Sequence, residues 1–294
     1  MINKSPLFLI FGLGYTGMFL AKKMSNKNMR VVATVRSKFY LDHENYLPCE
    51  PVEFSASAIE PILAQATHLL ISIPPASDIG DQVLANFSGL LKHYAHKLDW
   101  LGYLSSTGVY GDHQGDWVDE TSLPRSPSSQ GQLRLLAESQ WTSFAVAHDL
   151  PLTIFRLAGI YGPKRNTLVR LQAGKRQTII KPGHFFSRIY VDDLVSAIVT
   201  AIFASQSGVN IYNIADDQPE AGYIVDDYAA SLLQLPLLEK IPYDRAILSP
   251  MAKEFYSHNK RVLNSKLKDE LGLRLAYPTY KQGLKHLFNG EALP

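Results

Sequence analysis

The sequence predicts an α/β fold, a doubly wound parallel sheet with a small C-terminal substrate or cap domain, and three observations carry that prediction. Short apolar runs recur through the first 157 of the 294 residues. Amphipathic helical stretches separate them, which is the βαβ rhythm of a parallel sheet. A glycine-rich hexapeptide, Gly12-Leu13-Gly14-Tyr15-Thr16-Gly17, joins the first apolar run to the first helical stretch.

In chain order, the strands are expected at residues 7–11, 30–35, 52–55, 68–73, 100–105 and 152–157. Several are apolar along their whole length, as strands covered by helices on both faces must be. Helix-period segments lie between them at 14–25, 59–65, 79–96 and 133–148. Right-handed crossovers then make one continuous sheet. Beyond Leu157 the rhythm changes, because Gly159, Gly162, Pro163, Gly174, Pro182 and Gly183 cut the chain into pieces too short for long helices. This segment reads as a cap that leaves the sheet. A helix over 191–205, opened and capped by Asp192 and Asp193, and a strand over 209–214 return to it. Helices at 223–233, 265–271 and 280–288 complete a second domain, with Asp216 and Asp217 in a turn and Asp226 and Asp227 on a solvent-facing helix side.

Composition narrows the function classes. At 46% hydrophobic and 19% charged residues, with a net charge of +2, the chain is ordinary globular material. No Lys/Arg run exceeds a pair, so the basic stripe that nucleic-acid binding needs is missing and no nucleic-acid partner is expected. Cys49 is the only cysteine, which rules out an intrachain disulfide and fits a reducing, cytoplasmic setting. The apolar stretch at 6–11 is interrupted by Gly12, Gly14 and Gly17 and reads as a buried strand rather than a signal peptide. No segment approaches the roughly 18 apolar residues of a membrane span, and no membrane partner is expected. His93 and His96 share a helix face, but no third ligand accompanies them, so no metal is expected.

The hexapeptide gains its meaning from its position between strand and helix. Gly12 permits a tight turn, Gly14 lets a pyrophosphate approach the backbone, and Gly17 lets helix pack on strand, while the helix N-terminus attracts the anion. Leu13, Tyr15 and Thr16 complete the expected cofactor loop. About 20 residues on, NAD proteins place an acid against the ribose and NADP proteins place an Arg. Here the strand ends Ala33-Thr34-Val35-Arg36-Ser37, with no acid between Arg30 and Leu41. Thr34, Arg36 and Ser37 are therefore cofactor candidates, with NADP favoured over NAD. Residues 1–157 and 188–216 are expected to form this Rossmann-type NAD(P)-binding domain, and 158–187 and 217–294 the small substrate or cap domain.

Four further segments, together with the hexapeptide, share an order with a known family: Ser105-Ser106-Thr107-Gly108-Val109-Tyr110-Gly111, Leu135-Leu136-Ala137-Glu138, Phe155-Arg156-Leu157-Ala158-Gly159-Ile160-Tyr161-Gly162-Pro163 and Arg188-Ile189-Tyr190-Val191-Asp192-Asp193-Leu194. Together they resemble the NAD(P)-dependent epimerase/dehydratase branch of the extended short-chain dehydrogenase/reductases, in an atypical form. The resemblance implies an oxidoreductase or epimerase acting on a carbonyl or hydroxyl substrate, nucleotide-sugar-like in some members. Ser105, Ile73, Pro74 and Pro75 would flank the cofactor, and Ser106 would stand in the catalytic Ser/Thr position. The family's Tyr-x-x-x-Lys window reads Gln130-Gly131-Gln132-Leu133-Arg134. An amide cannot replace a phenol as acid/base, whereas Arg134 could still reach the nicotinamide ribose. Tyr110, Tyr161, His113 and His184 are the candidate substitutes, with Tyr110 placed among the catalytic set. Phe186 stands where nucleotide-sugar members carry a phosphate-pairing Arg, and Arg188 lies two residues on, pointing to the same side of a strand. Lys164, Arg165, Arg170, Lys175 and Arg176 add positive charge to the cap. The expected partner is a small-molecule substrate, anionic if nucleotide-linked, with a homodimer as the candidate assembly. A non-catalytic NADP sensor or scaffold is the alternative reading.

Overall fold

The computed structural model describes residues 6–27, 29–36, 47–77, 79–204 and 206–290. The chain forms two compact units, one of Met1–Ser106, Ser129–Arg156 and Val195–Tyr212, the other of Thr107–Ser128, Leu157–Leu194 and Asn213–Pro294.

In the first unit, β1 (Leu7–Phe11), β2 (Arg30–Val35), β3 (Glu50–Glu53), β4 (Ala66–Ile71), β5 (Trp100–Ser106), β6 (Leu152–Leu157) and β7 (Val209–Ile214) build one seven-stranded sheet. Their order is β7-β6-β5-β4-β1-β2-β3, with β1 parallel to both β2 and β4. The last residues of β6 and β7 belong to the second unit. Every residue of β1 and β6 is buried, which explains why both read as unbroken apolar runs. Phe11, Phe87, Tyr103 and Trp141 fill the layer between the sheet and its helices.

Several boundaries differ from the sequence reading for local reasons. The helix expected from residue 79 begins at Gln82 (Gln82–Tyr94), because the Asp81 side chain accepts the N–H groups of Val83 and Leu84, both at 2.9 Å, and so fixes the N-cap. The helix expected from 133 begins four residues earlier (Ser129–Ala147), which carries Gln130 into its first turn. β3 and β4 each lie two residues upstream of the expected runs, with Val32 paired to Glu50 and Leu7 to Ala66.

The chain winds β1 to β3 on one side of β1 and places β4 on the other. The crevice at the carboxyl ends of β1 and β4 is thus the topological switch point, where ligands of doubly wound sheets bind.

The second unit is held by two-stranded parallel ladders, Arg188–Tyr190 on Gly159–Tyr161, Glu239–Pro242 on Gln177–Ile180 and Arg261–Val262 on Trp117–Val118. Two of its helices fall in segments where the sequence reading placed none. Thr167–Gln172 is capped by Asn166 and Pro250–Ser257 by Ser249, with proline at its first position. No described helix is long and apolar enough to cross a membrane.

Candidate functional site

The switch-point crevice is shaped by backbone. Gly12 adopts φ +98°, and a Cβ there would lie 2.8 Å from Ile73 Cγ1. Its N–H donates to Thr34 Oγ1 at 2.8 Å, and the Leu13 N–H donates to the Thr34 carbonyl at 2.9 Å. Thr34 is therefore a buried residue whose hydroxyl oxygen helps hold the loop. A Cβ on Gly14 would meet nothing within 4 Å. Gly14 is the N-cap of the helix Tyr15–Ser25, which has no side-chain cap and no acid in its first turn. An uncapped helix N-terminus is where backbone N–H groups and the helix dipole favour an anion. Thr16 and Gly17 are buried in that first turn, and the Tyr15 ring leans on Phe19 at 5.1 Å. Arg36 is exposed one residue beyond β2, and its guanidinium makes no hydrogen bond or ion pair to a described residue. Ser37 lies outside the described residues. Ile73 and Pro75 are half-buried and Pro74 is exposed, its carbonyl accepting Gln82 Nε2 at 2.7 Å. Open space before an uncapped helix N-terminus, with a guanidinium at the end of the neighbouring strand, fits a phosphorylated dinucleotide.

The end of β5 is built differently. Ser105 is 3% exposed and donates its hydroxyl to Glu138 Oε1 at 2.5 Å. Glu138 in turn accepts Arg156 Nη2 on Oε2 at 2.8 Å and Nε on Oε1 at 3.2 Å, an ion pair buried on both sides. The Ser105 hydroxyl is thus engaged within the core. Arg134 donates through Nη1 to the Leu104 carbonyl at 2.7 Å and to the Tyr103 hydroxyl at 3.2 Å. The Arg134 guanidinium is therefore anchored to the carboxyl-terminal end of β5. Ser106, the last residue of β5, is half-buried, and Gln130 is exposed on the first turn of the helix that carries Arg134.

Tyr110, in the second unit, is fully buried and donates its hydroxyl to Asn213 Oδ1 at 2.7 Å. That is a framework bond rather than a free acid. Of the other proton-transfer candidates, burial pushes the Tyr161 phenol well above its usual range, while burial pushes His113 down and His184 down to about 4. Arg188 is half-buried and uses Nη1 on the Phe186 and Glu220 carbonyls, both at 2.8 Å.

Three acids depart from their expected roles. Asp193 accepts the N–H groups of Ala276 at 2.7 Å and Tyr277 at 2.9 Å, so it ties down a distant segment instead of capping its own helix. Asp226 is 4% exposed, not solvent-facing, and receives Lys175 Nζ, Thr167 Oγ1 and Thr178 Oγ1 at 2.5, 2.6 and 2.5 Å. Lys175 is accordingly paired rather than part of an open basic face. Asp216 accepts the Gln218 N–H at 3.1 Å as its turn predicts, yet its Oδ2 is buried without a partner and burial pushes the carboxyl up to about 8. The sequence reading also passes over Lys260, whose ammonium burial pushes down to about 8, because a Lys-Arg pair in a polar stretch looks like solvated surface. Among the described residues, no three His, Cys, Asp or Glu side chains converge as a metal site would require.

Four similarities to known proteins bear on this arrangement. The model of the NAD dependent epimerase/dehydratase family matches residues 85–215. Protein YeeZ of Escherichia coli (strain K12) is 30% identical over 288 residues, covering 92% of this chain and 95% of that one. The structure of a functionally unknown conserved protein from Silicibacter pomeroyi DSS matches with a TM-score of 0.90 at 42% identity, over 96% of this chain and 98% of that one. The dTDP-glucose 4,6-dehydratase of Bacillus anthracis str. Ames, solved in complex with NAD, shares the fold with a TM-score of 0.76 at 18% identity, over 97% and 96% of the two chains.

Proposed function

Because this chain belongs to the NAD dependent epimerase/dehydratase family, we propose that it is a dinucleotide-dependent oxidoreductase or epimerase acting at a carbonyl or hydroxyl centre, with NADP as its preferred cofactor. The observation that carries the reading is the free space in front of Gly14 at the uncapped start of the helix Tyr15–Ser25. Backbone N–H groups there hold the pyrophosphate, and the exposed Arg36 pairs with the 2′-phosphate. The bound nicotinamide supplies the hydride donor or acceptor. Ile73 and Pro75 flank it, the Ser106 hydroxyl hydrogen-bonds the substrate oxygen, and Arg134 keeps donors beyond Nη1 for the ribose. A nucleotide-sugar substrate is the narrower form of the proposal. Phe186 weighs against it, whereas Arg188 retains a positive charge two residues on.

One observation favours a second reading, a non-catalytic NADP sensor or scaffold. Gln130 offers no titratable proton in the acid/base position, and the Tyr110 hydroxyl is engaged by Asn213. Calorimetry with NADPH, paired with a screen for NADPH oxidation by carbonyl substrates, separates the two. Turnover that disappears in Ser106→Ala supports the enzyme. Tight binding without turnover supports the sensor, and the absence of any dinucleotide binding overturns both. If a substrate pocket persists without its acid, Gln130→Tyr with Arg134→Lys should raise turnover, since general acid/base groups typically contribute about 10²–10⁴-fold.

A further inference from the structure

Strand β5 and the helix Ser129–Ala147 meet through two rungs in the first unit. Tyr103 and Ser105 are two residues apart on the strand and so face the same side. Arg134 and Glu138 are one turn apart on the helix and so share a face. The Ser105 rung, closed by Glu138 and Arg156, is buried throughout. The Tyr103 rung is different: Tyr103 is 0% exposed, but the arginine that it meets is only half-buried.

Both acceptors of Arg134 come from β5, and both take the same nitrogen. Nη1 donates to the Leu104 carbonyl at 2.7 Å and to the Tyr103 phenol oxygen at 3.2 Å, while the guanidinium carbon stands 5.9 Å from the centroid of the Tyr103 ring. Nε and Nη2 donate to no described residue. A guanidinium is planar and holds its five donors in one rigid fork, so two acceptors on one nitrogen set the plane and with it the directions of the other donors. A single acceptor would leave the fork free to turn about that bond. Leu104 supplies a carbonyl whatever its side chain, whereas the second acceptor depends on the phenol. Burial pushes that phenol up to about 12, so it stays a neutral acceptor and leaves the charge of Arg134 intact.

We propose that Tyr103 is a positioning residue for the cofactor site, whose phenol sets the plane in which Arg134 presents Nε and Nη2 to the nicotinamide ribose. This role rests on the dinucleotide reading above, and Tyr103 acts only through Arg134, since it is itself closed off in the core. A lysine, a compact point charge on a flexible stem, would need no such partner. An arginine, whose donors serve only in a fixed direction, does.

NADPH and adenosine 2′,5′-bisphosphate separate this role from a merely structural one, because only NADPH carries the nicotinamide ribose. Calorimetry with both ligands compares the full wild-type chain, Tyr103→Phe, Arg134→Met and the double variant. Tyr103→Phe should weaken NADPH binding about fivefold, the worth of one hydrogen bond, and leave the bisphosphate unchanged. In the Arg134→Met background the same substitution should change neither affinity, because a residue that acts through Arg134 then has nothing to act on. An unchanged NADPH affinity in Tyr103→Phe, an equal loss of both ligands, or the same loss with Arg134 absent overturns the role and leaves the dinucleotide reading standing. A wild type that binds neither ligand overturns that reading and this role with it. If Tyr103→Phe fails to fold, nitrogen NMR of the wild-type chain decides. A guanidinium held in one plane gives separate Nη1 and Nη2 signals for Arg134, identified by their loss in Arg134→Met, and a single averaged signal overturns the role.

Discussion

The loop after β1 and the end of β5 lie at the same edge of the same sheet and are built on opposite terms. The first is shaped by what is missing: Gly12 and Gly14 carry no Cβ, so one turns tightly against Ile73 and the other faces empty space. The second is filled: Ser105, Glu138 and Arg156 satisfy one another, and Arg134 closes on Leu104 and Tyr103. The form of the first is therefore a property of backbone shape, while rigidity at the β5 end is a property of matched side chains. The two should fail differently when mutated.

The largest effect is expected in the filled region. Arg156→Leu leaves the Glu138 carboxyl buried with only the Ser105 hydroxyl, which should reduce stability by about 3–5 kcal/mol. Glu138→Met combined with Arg156→Leu should recover most of that loss, because no buried charge is then left alone. Urea unfolding of the two variants checks this, and equal loss in both would mean that packing rather than charge pairing holds the site.

Next comes the open region, where neighbouring glycines should separate. Gly12→Ala forces a left-handed backbone and a clash with Ile73, so it should cost roughly 2–4 kcal/mol of stability. Gly14→Ala should leave the melting temperature nearly unchanged and weaken NADPH binding instead. A Gly14 variant that binds NADPH as the wild type does would remove the pyrophosphate from this loop.

A smaller effect sets Glu138 against another buried acid. Asp216 lacks a partner for Oδ2, and burial raises its carboxyl to about 8, above its unfolded value. Its contribution to stability is therefore fully present below about pH 4 and lost as pH rises towards 8. Asp216→Asn keeps the acceptor for the Gln218 N–H and removes the charge. It should stabilise the protein at pH 8 and leave it nearly unchanged at pH 4. Denaturant midpoints at the two pH values test the sign.

The same contrast explains what was legible in the sequence. β1, β2 and β6 end where the apolar runs end, because strands buried on both faces leave a continuous signature, and the glycine loop is legible because φ and close approach restrict residue type locally. The protein partners of the Thr34 and Ser105 hydroxyls are not legible, because a hydroxyl at a strand end looks the same whether it faces a ligand or a core partner. Ser105 meets Glu138 33 residues away, and nothing local signals that partnership. Asp226 reads as a surface acid for the same reason: Lys175, Thr167 and Thr178 lie about 50 residues upstream. Lys260 and Asp216 are invisible in sequence because desolvation, which sets their chemistry, is a property of the folded surroundings alone.

The smallest expected effect concerns the one side chain that the open region supplies. Arg36 is exposed beyond β2 and has no hydrogen-bond or ion-pair partner among the described residues, so a 2′-phosphate would be its first close partner. Solvent screens such a contact, which places it near the low end for a charge-assisted hydrogen bond, about 1.5 kcal/mol or roughly tenfold in affinity. Arg36→Ala should therefore bring NADPH affinity down to that of NADH and leave NADH itself unchanged, because NADH presents no phosphate at that position. Raising the salt concentration should narrow the wild-type preference in the same direction, since the contact is electrostatic and lies at the surface. Calorimetry of both cofactors against both proteins reads all four affinities. Equal NADPH and NADH affinities in the wild type would assign Arg36 to solvent and leave cofactor choice to another residue.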